Sequence, residues 1–464
     1  MFHLDFNKPV HVHFIGIGGI SMSGLAKLLL SRGFTVSGSD AHESELTDEL
    51  TSQGAIINYG QKAENITPDI DVVVYTAAIH PDNPEYAAAA DAGIAMLTRA
   101  ELLGQVMKNY KTAINIAGTH GKTTTSSMIS QILMTACADP TISLGGMLDV
   151  IGGNFRVGKS DLFVTEACEY TNSFLSFNPT MNVILNVQED HLDFFKDLAD
   201  IRHSFKLFCE KLPENGTLII NSDIEDISYF YKDAVCKNVI TFGHDAANSD
   251  YSAADIVYDA YGAATYTLIY KGQKKYQVTL HVPGEHNVYN SLAAIAAMEN
   301  TGISQENIIA GLAAYGGVHR RFEKKGVLMP NNTTIIDDYA HHPAEITATL
   351  KAAHNYPHNR LWVVFQPHTY TRTKAFLKDF AAALSLADKV VLADIYAARE
   401  TDNLGISSKT LLDEIKALGC DAYYFSSFAQ IEEFLRKNCI NNDLLITMGA
   451  GNVVEIGENL LSEN

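Results

Sequence analysis

Short apolar runs, each ending at a glycine, an acid or an amide and each followed by residues at helical spacing, recur along most of the chain. The first run covers residues 10–15, and Gly16 to Gly24 opens a helix expected to reach about Ser31. A second strand, 34–40, ends in Asp40, and a third, 71–78, precedes helices beginning near Pro84 and at Arg99. The alternation resumes with a strand over 114–117 and a helix over 126–133. Strands at 162–169, 181–187, 216–221 and 239–243 follow. Residues 251–282 instead alternate with period two, which predicts antiparallel hairpins turning at 270–273, before an Ala-rich helix over 291–300. Beyond Gly316-Gly317 come strands at 334–338, 361–366, 389–394 and 443–451, with a helix at 373–386.

Strands alternating with helices predict an α/β fold built on mostly parallel sheets. Polar joints at 108–111 and near Gly316-Gly317 divide it into three: an N-terminal Rossmann-like domain (1–108), a central P-loop ATPase domain (109–325) and a C-terminal Rossmann-like domain (326–464). The length of 464 residues agrees with three domains at about 150 residues each.

Charge narrows the partners. With 34 Lys+Arg against 54 Asp+Glu, the net charge of −20 argues against nucleic acid or an anionic membrane. An anionic small substrate would need local positive groups. No apolar run reaches the roughly 18 residues of a membrane span, and the first residues lack a signal-type pattern, so a cytoplasmic protein is expected. The six cysteines include no C-x-x-C pair, so reduced thiols are the expectation. Oligomeric state is not legible.

The chemistry centres on residues 114–125, where a strand breaks at Gly118 and passes through Thr119, His120 and Gly121 onto Lys122, Thr123 and Thr124. Such a loop wraps phosphates with backbone N–H groups at a helix N-terminus, while the lysine adds charge and the following hydroxyl ligates Mg²⁺. It is shorter than the full Walker pattern, which would place a glycine where Ile116 stands. Glu166 ends a strand where NTPases commonly offer a second Mg²⁺ ligand, and His191 follows another carboxylate-bearing strand end. Asn287 and Asn290 share one helix face and serve either an adenine edge or a helix cap. Arg320 and Arg321 stand at the second joint, as phosphate-reaching cations or as a solvated basic turn. Gly16-x-Gly18-Gly19 with Asp40 is compatible with a nicotinamide dinucleotide, a UDP-sugar or mere tight packing.

Taken together and in order, these segments resemble the Mur ligases of peptidoglycan synthesis. The resemblance is carried by residues 16–23, Gly118 to Thr124, Glu189-Asp190-His191, residues 285–290, Arg320-Arg321-Phe322-Glu323, Asp338 to Pro343 and Gln366-Pro367-His368. It implies an ATP-dependent ligase of the alanine-adding branch, which joins L-alanine to the lactyl carboxylate of UDP-N-acetylmuramate through an acyl phosphate. It further implies that Lys122 holds the β- and γ-phosphates and Arg321 meets the γ-phosphate, that Thr123 with Glu166 holds one Mg²⁺ and His191 a second, and that Asn287, Asn290 and Asp338 contact ATP. Gly18, Gly19 and Asp40 would face the UDP portion, and Tyr339, His341 and Arg372 the alanine. The sequence departs from the family at Thr369, where arginine is common, and at Cys168 and Tyr170 after Glu166. Where sister ligases carry a carbamylated lysine this chain has Phe205, with Lys206 adjacent. Rival functions are a ligase adding a recycled tripeptide, a nicotinamide-dependent oxidoreductase and a non-catalytic nucleotide sensor.

Overall fold

The computed structural model describes residues 2–76 and 78–462. Three sheets, each flanked by helices, follow one another along the chain. Ala77, at the end of the third expected strand, lies outside the described residues; that strand runs Val72–Tyr75.

The first sheet is wholly parallel, in the order Ile56–Tyr59, Thr35–Asp40, His11–Ile15, Val72–Tyr75, Ala95–Thr98. The order reverses direction on either side of His11–Ile15, so the glycine loop that follows this strand sits at the switch point where open sheets collect ligands. Its helices are locally specified. Asn83 accepts from Glu85 and Tyr86 N–H ahead of Pro84, and Thr98 with Glu101 forms a reciprocal capping box.

The central sheet has ten strands. Its parallel middle runs Asn238–Phe242, Thr217–Asn221, Met181–Ile184, Thr112–Ala117, Leu162–Ala167, Thr141–Leu148. Gly153–Arg156 pairs antiparallel at one edge, and the hairpins Tyr251–Tyr258, Ala263–Tyr270 and Gln273–Pro283 extend the other. Thr112–Ala117 lies mid-sheet and is buried from Ala113 onward, which explains why it reads as a continuous apolar run. Phe205, at the position where sister ligases keep a lysine, is fully buried beside Phe174, which itself stacks on Phe208 at 4.4 Å. Lys206 points elsewhere, to Asp233 and Glu210.

The third sheet runs Glu323–Leu328, Thr333–Asp338, Leu444–Met448, Leu361–Phe365, Lys389–Leu392, Asp421–Tyr424, with only the first strand antiparallel. Glu323–Leu328 straddles the expected 325/326 boundary yet pairs only within this sheet, so the joint lies N-terminal to Glu323. Two helices also differ from expectation. The Ala-rich helix is Glu285–Asn300, starting before Ser291 because Gly284 turns the chain at φ 101°. The 373–386 segment is two helices, Tyr370–Ala375 and Leu377–Leu384, interrupted at Phe376.

Candidate active site

The loop from Gly118 to Gly121 joins the central strand to the helix Lys122–Thr135. Both glycines hold positive φ, 144° and 85°. A side chain at Gly121 would place Cβ 2.6 Å from Asn290 Oδ1, so the loop and the helix Glu285–Asn300 are in direct register. Thr119 and His120 are pinned to the neighbouring strand end: Thr119 Oγ1 accepts from Gln188 N at 2.9 Å, and Asn186 Oδ1 accepts from His120 N at 2.8 Å. Lys122 Nζ donates back to the carbonyls of Gly118 and Thr119 and pairs with the buried carboxylate of Glu169 at 3.2 Å. Burial works against its charge, but Glu169, Cys168 and Glu166 together outweigh that and raise its pKa. Lys122 is therefore charged and held beside the loop.

Thr123 Oγ1 donates to Glu166 Oε2 at 2.9 Å, and Glu166 also accepts from Gly145 N at 2.6 Å and Ser126 Oγ at 3.3 Å. A hydroxyl and a carboxylate beside a phosphate loop are hard oxygen donors, which suits Mg²⁺. Among the described residues no three His, Cys, Asp or Glu side chains converge on one metal position. A divalent ion there would complete its shell with water or phosphate oxygens. His191 has φ 53°, and its ring stacks on Tyr170 at 4.6 Å, with Nε2 3.7 Å from Asp190. Burial lowers its pKa despite Asp190, which favours the neutral, ligating form. The family departure at Tyr170 thus supplies the face against which His191 rests.

The third domain reaches this site with Asp338, Tyr339, His341 and Arg372. Asp338 is 5% exposed and accepts from Phe322 N at 2.8 Å and Ala340 N at 2.7 Å; burial raises its carboxyl to about 6 in spite of Arg321. The guanidinium of Arg321 lies 5.1 Å over the Tyr339 ring. Arg320 is spent structurally, on Asp337 at 3.0 Å and the Gly449 carbonyl at 2.8 Å, so the two arginines divide the work. A cavity of about 250 Å³ brings His120, Gly121, Thr123 and Thr124 together with Asn287, Asn290, Arg321 and Asp338. The asparagines are not helix caps. Asn287 Nδ2 donates to the Pro283 carbonyl at 2.7 Å and Asn290 Nδ2 donates to Asn287 Oδ1 at 3.1 Å, an arrangement that leaves amide edges at the cavity wall.

Beside this cavity Arg372 donates through Nε and Nη2 to Asp190 Oδ1, at 3.2 and 3.0 Å, across the boundary between central and third domains. Its Nη1 stands 3.3 Å from His368. Thr369 accepts from Arg372 N and so caps the short helix that carries this arginine. His341 Nδ1 lies 3.0 Å from the Tyr339 carbonyl and 3.3 Å from Glu345, and burial lowers its pKa to about 4, so it is neutral near pH 7. Glu345, which no local pattern marked, gathers His341 and His120, the latter at 3.2 Å. Burial opposes its charge, yet these imidazoles hold its carboxyl well below the usual range.

The glycine loop of the first domain is held by Asp40. Asp40 does not stand free: its Oδ2 accepts from Gly18 N at 2.8 Å and its Oδ1 from Ala41 N at 2.7 Å, which fixes the turn. Gly19 is the residue preceding the helix Ile20–Ser31 and is exposed there. Arg99, expected only as the start of a helix, opens the helix Arg99–Met107 and donates to Ser21 Oγ at 3.1 Å.

Comparison with known proteins agrees with this arrangement. Three family descriptions match in order: Mur ligase family, catalytic domain, over residues 11–111; Mur ligase middle domain over 116–298; and Mur ligase, glutamate ligase domain, over 320–451. A UDP-N-acetylmuramate–L-alanine ligase of Lachnospira eligens is 66% identical over 99% of this chain and 100% of its own. One from Agathobacter rectalis is 58% identical over the full length of both. The crystal structure of a UDP-N-acetylmuramate-alanine ligase from Thermotoga maritima superposes with a TM-score of 0.79 at 29% identity, covering 98% of each chain. With three domains matched in sequence, order and fold, the chain belongs to the Mur ligase family.

Proposed function

We propose that this protein joins L-alanine to the lactyl carboxylate of UDP-N-acetylmuramate at the expense of ATP, releasing ADP and phosphate, as a cytoplasmic step in peptidoglycan precursor synthesis. The observation that carries the reading is the shared cavity, in which the Gly121–Thr124 loop and Asn287 and Asn290 face Arg321 and Asp338. The near full-length relatives bearing this activity in their names support alanine over a tripeptide. A nicotinamide oxidoreductase would leave the whole phosphate cavity without a purpose, and a passive sensor is separated from the ligase by turnover.

A carboxylate is a poor electrophile, so its oxygen must first attack the γ-phosphate; the acyl phosphate formed then takes the alanine amine and expels phosphate. Lys122 and Arg321 offset the charge of the transferring phosphoryl group, and fixed positions supply most of the acceleration. Thr123 and Glu166, with His191 on the substrate side, would hold Mg²⁺, which when bound neutralises phosphate oxygens. The divided arginines leave Arg321 for the nucleotide. On the acceptor side Arg372 is the cation suited to the alanine carboxylate, and a neutral His341 does not repel the incoming ammonium. Asn287 and Asn290 would read the adenine edge, and the glycine loop with Gly18, Gly19 and Asp40 would face the UDP portion. We divide the chain into sugar, ATP and amino-acid domains at about residues 108 and 322, in keeping with the sheet memberships.

The test is ADP release from ATP and UDP-N-acetylmuramate, with either L-alanine or a tripeptide as acceptor. Release with alanine is expected; release with tripeptide alone would reject the assignment. Lys122→Ala should cut turnover by roughly a hundredfold or more while binding of the UDP-sugar is retained.

A further inference from the structure

The hinge between the central and third domains is tied to the phosphate site through the strand Thr141–Leu148 and the turn after it. Gly145 N donates to Glu166, the carboxylate that holds Thr123. A Cβ at Gly146 would lie 3.0 Å from both Thr123 and Val318, so this backbone is wedged between the phosphate-loop helix and the hinge. The Met147 carbonyl accepts from His319 N at 3.1 Å. Asp149, in the following turn, meets His319 Nε2 at 2.9 Å, while His319 Nδ1 stands 2.9 Å from Glu323 Oε1 on the first strand of the third sheet. An imidazole with a carboxylate at each nitrogen holds both protons, and the Asp149 bond raises its pKa. The bridge thus spans central domain, hinge and third sheet within one side chain.

The backbone it spans is unusual. Arg320 and Phe322 both hold positive φ, 63° and 49°, without being glycine. Such conformations persist only where neighbours over-determine them. Here Arg320 N donates to Glu323 Oε2 at 2.8 Å, Phe322 N to Asp338 at 2.8 Å, Arg321 N to the Val318 carbonyl at 3.1 Å, and the Arg320 carbonyl accepts from Tyr339 N at 2.7 Å. Arg321 sits between the two left-handed residues, so the direction of its side chain follows from how this turn is held.

We infer that His319, clamped between Asp149 and Glu323, is a positioning residue that aims Arg321 into the nucleotide cavity. Asp149 and His319 form no part of the cavity itself; they act on it through the hinge turn. The inference rests on the reading of Arg321 as a nucleotide contact.

The experiment is steady-state ligation by the full chain against ATP concentration, for wild type, His319→Ala, Asp149→Asn, the double variant and Arg321→Ala. Asp149 is 94% exposed and His319 44%, so neither substitution threatens folding, and the thermal transition should be unchanged. Each single variant should raise KM for ATP roughly threefold to fivefold, with kcat and the KM of the other substrates little altered. The double variant should be no worse than His319→Ala, since Asp149 acts only through His319. An unchanged KM for ATP in the singles while Arg321→Ala loses turnover overturns the inference alone, as do effects that multiply in the double variant. Full activity in Arg321→Ala would remove the inference together with the reading beneath it.

Discussion

The pair between Arg372 and Asp190 is a direct measure of how firmly the third domain is docked. Replacing Arg372 by methionine keeps the apolar stem and deletes the charge, leaving Asp190 only 7% exposed. Removing one partner of a buried pair costs about 3–5 kcal/mol. Asp190 retains the His191 N–H at 2.7 Å, which places the loss near the lower end, about 3 kcal/mol. The chain's one tryptophan, Trp362, lies in the third sheet, buried and bonded to Asp443 at 2.9 Å, so its fluorescence reports unfolding of that domain alone. In urea the Trp362 transition of Arg372→Met should shift to lower concentration. Adding Asp190→Asn should recover part of the shift, because the stranded charge is then gone. The Arg372 guanidinium holds the Asp190 carboxyl below its ordinary 3.8 against the effect of burial. Its contribution is therefore present above that value, flat from about pH 5 to 8, and lost only as pH falls through the lowered value. The reasoning is refuted if Arg372→Met and wild type share one Trp362 transition, or if the double variant is weaker than Arg372→Met.

Other expectations follow from the same geometry. In the nucleotide-free protein Asp338 is raised from 3.8 to about 6, so its contribution to stability is fully present below 3.8 and lost as pH rises through 6, about 3 kcal/mol in all. Relative to Asp338→Asn, the wild-type Trp362 transition should therefore weaken over that interval; parallel profiles would contradict the assigned burial. Gly121→Ala should raise KM for ATP well over tenfold, since the added methyl meets Asn290 Oδ1 and the residue must keep φ 85°; a near-normal KM, read by ADP release, would mean the loop relaxes freely. Arg372→Met should raise KM for alanine more than KM for ATP, and equal effects would place Arg372 outside the acceptor site.

The features legible in the chain were those written locally. Thr112–Ala117 and the loop after it announce themselves because a fully buried parallel strand is a continuous apolar run and the phosphate loop needs glycine at positive φ. The start at Glu285 was only half visible: Asn287 and Asn290 read as one helix face, but the polar first turn gives periodicity nothing to separate it from a loop. The interruption at Phe376 has neither proline nor glycine to mark it. Asp40 stood where a ribose-binding acid is expected, and nothing in the sequence shows that Gly18 N–H engages it. The roles of Glu345 and Arg99, and the pairing of Glu169 with Lys122, were hidden for a different reason. Each acquires its role from a partner far along the chain: Lys122 for Glu169, His120 for Glu345 and Ser21 for Arg99.

The nucleotide cavity has one wall on the central domain and another on the third, with Asp338, Ala344, Glu345, Ala348 and Thr349 supplying the latter. A nucleotide held there as proposed would be shared between the two domains, and exchange of spent ADP for ATP would require those walls to part. On that reading each catalytic cycle would include a parting of the two domains, and the rate of that parting would cap turnover however fast the bond-making steps become. Solvent friction should then slow the enzyme: a viscous co-solvent such as sucrose would lower kcat, and a kcat indifferent to viscosity would locate the ceiling in chemistry.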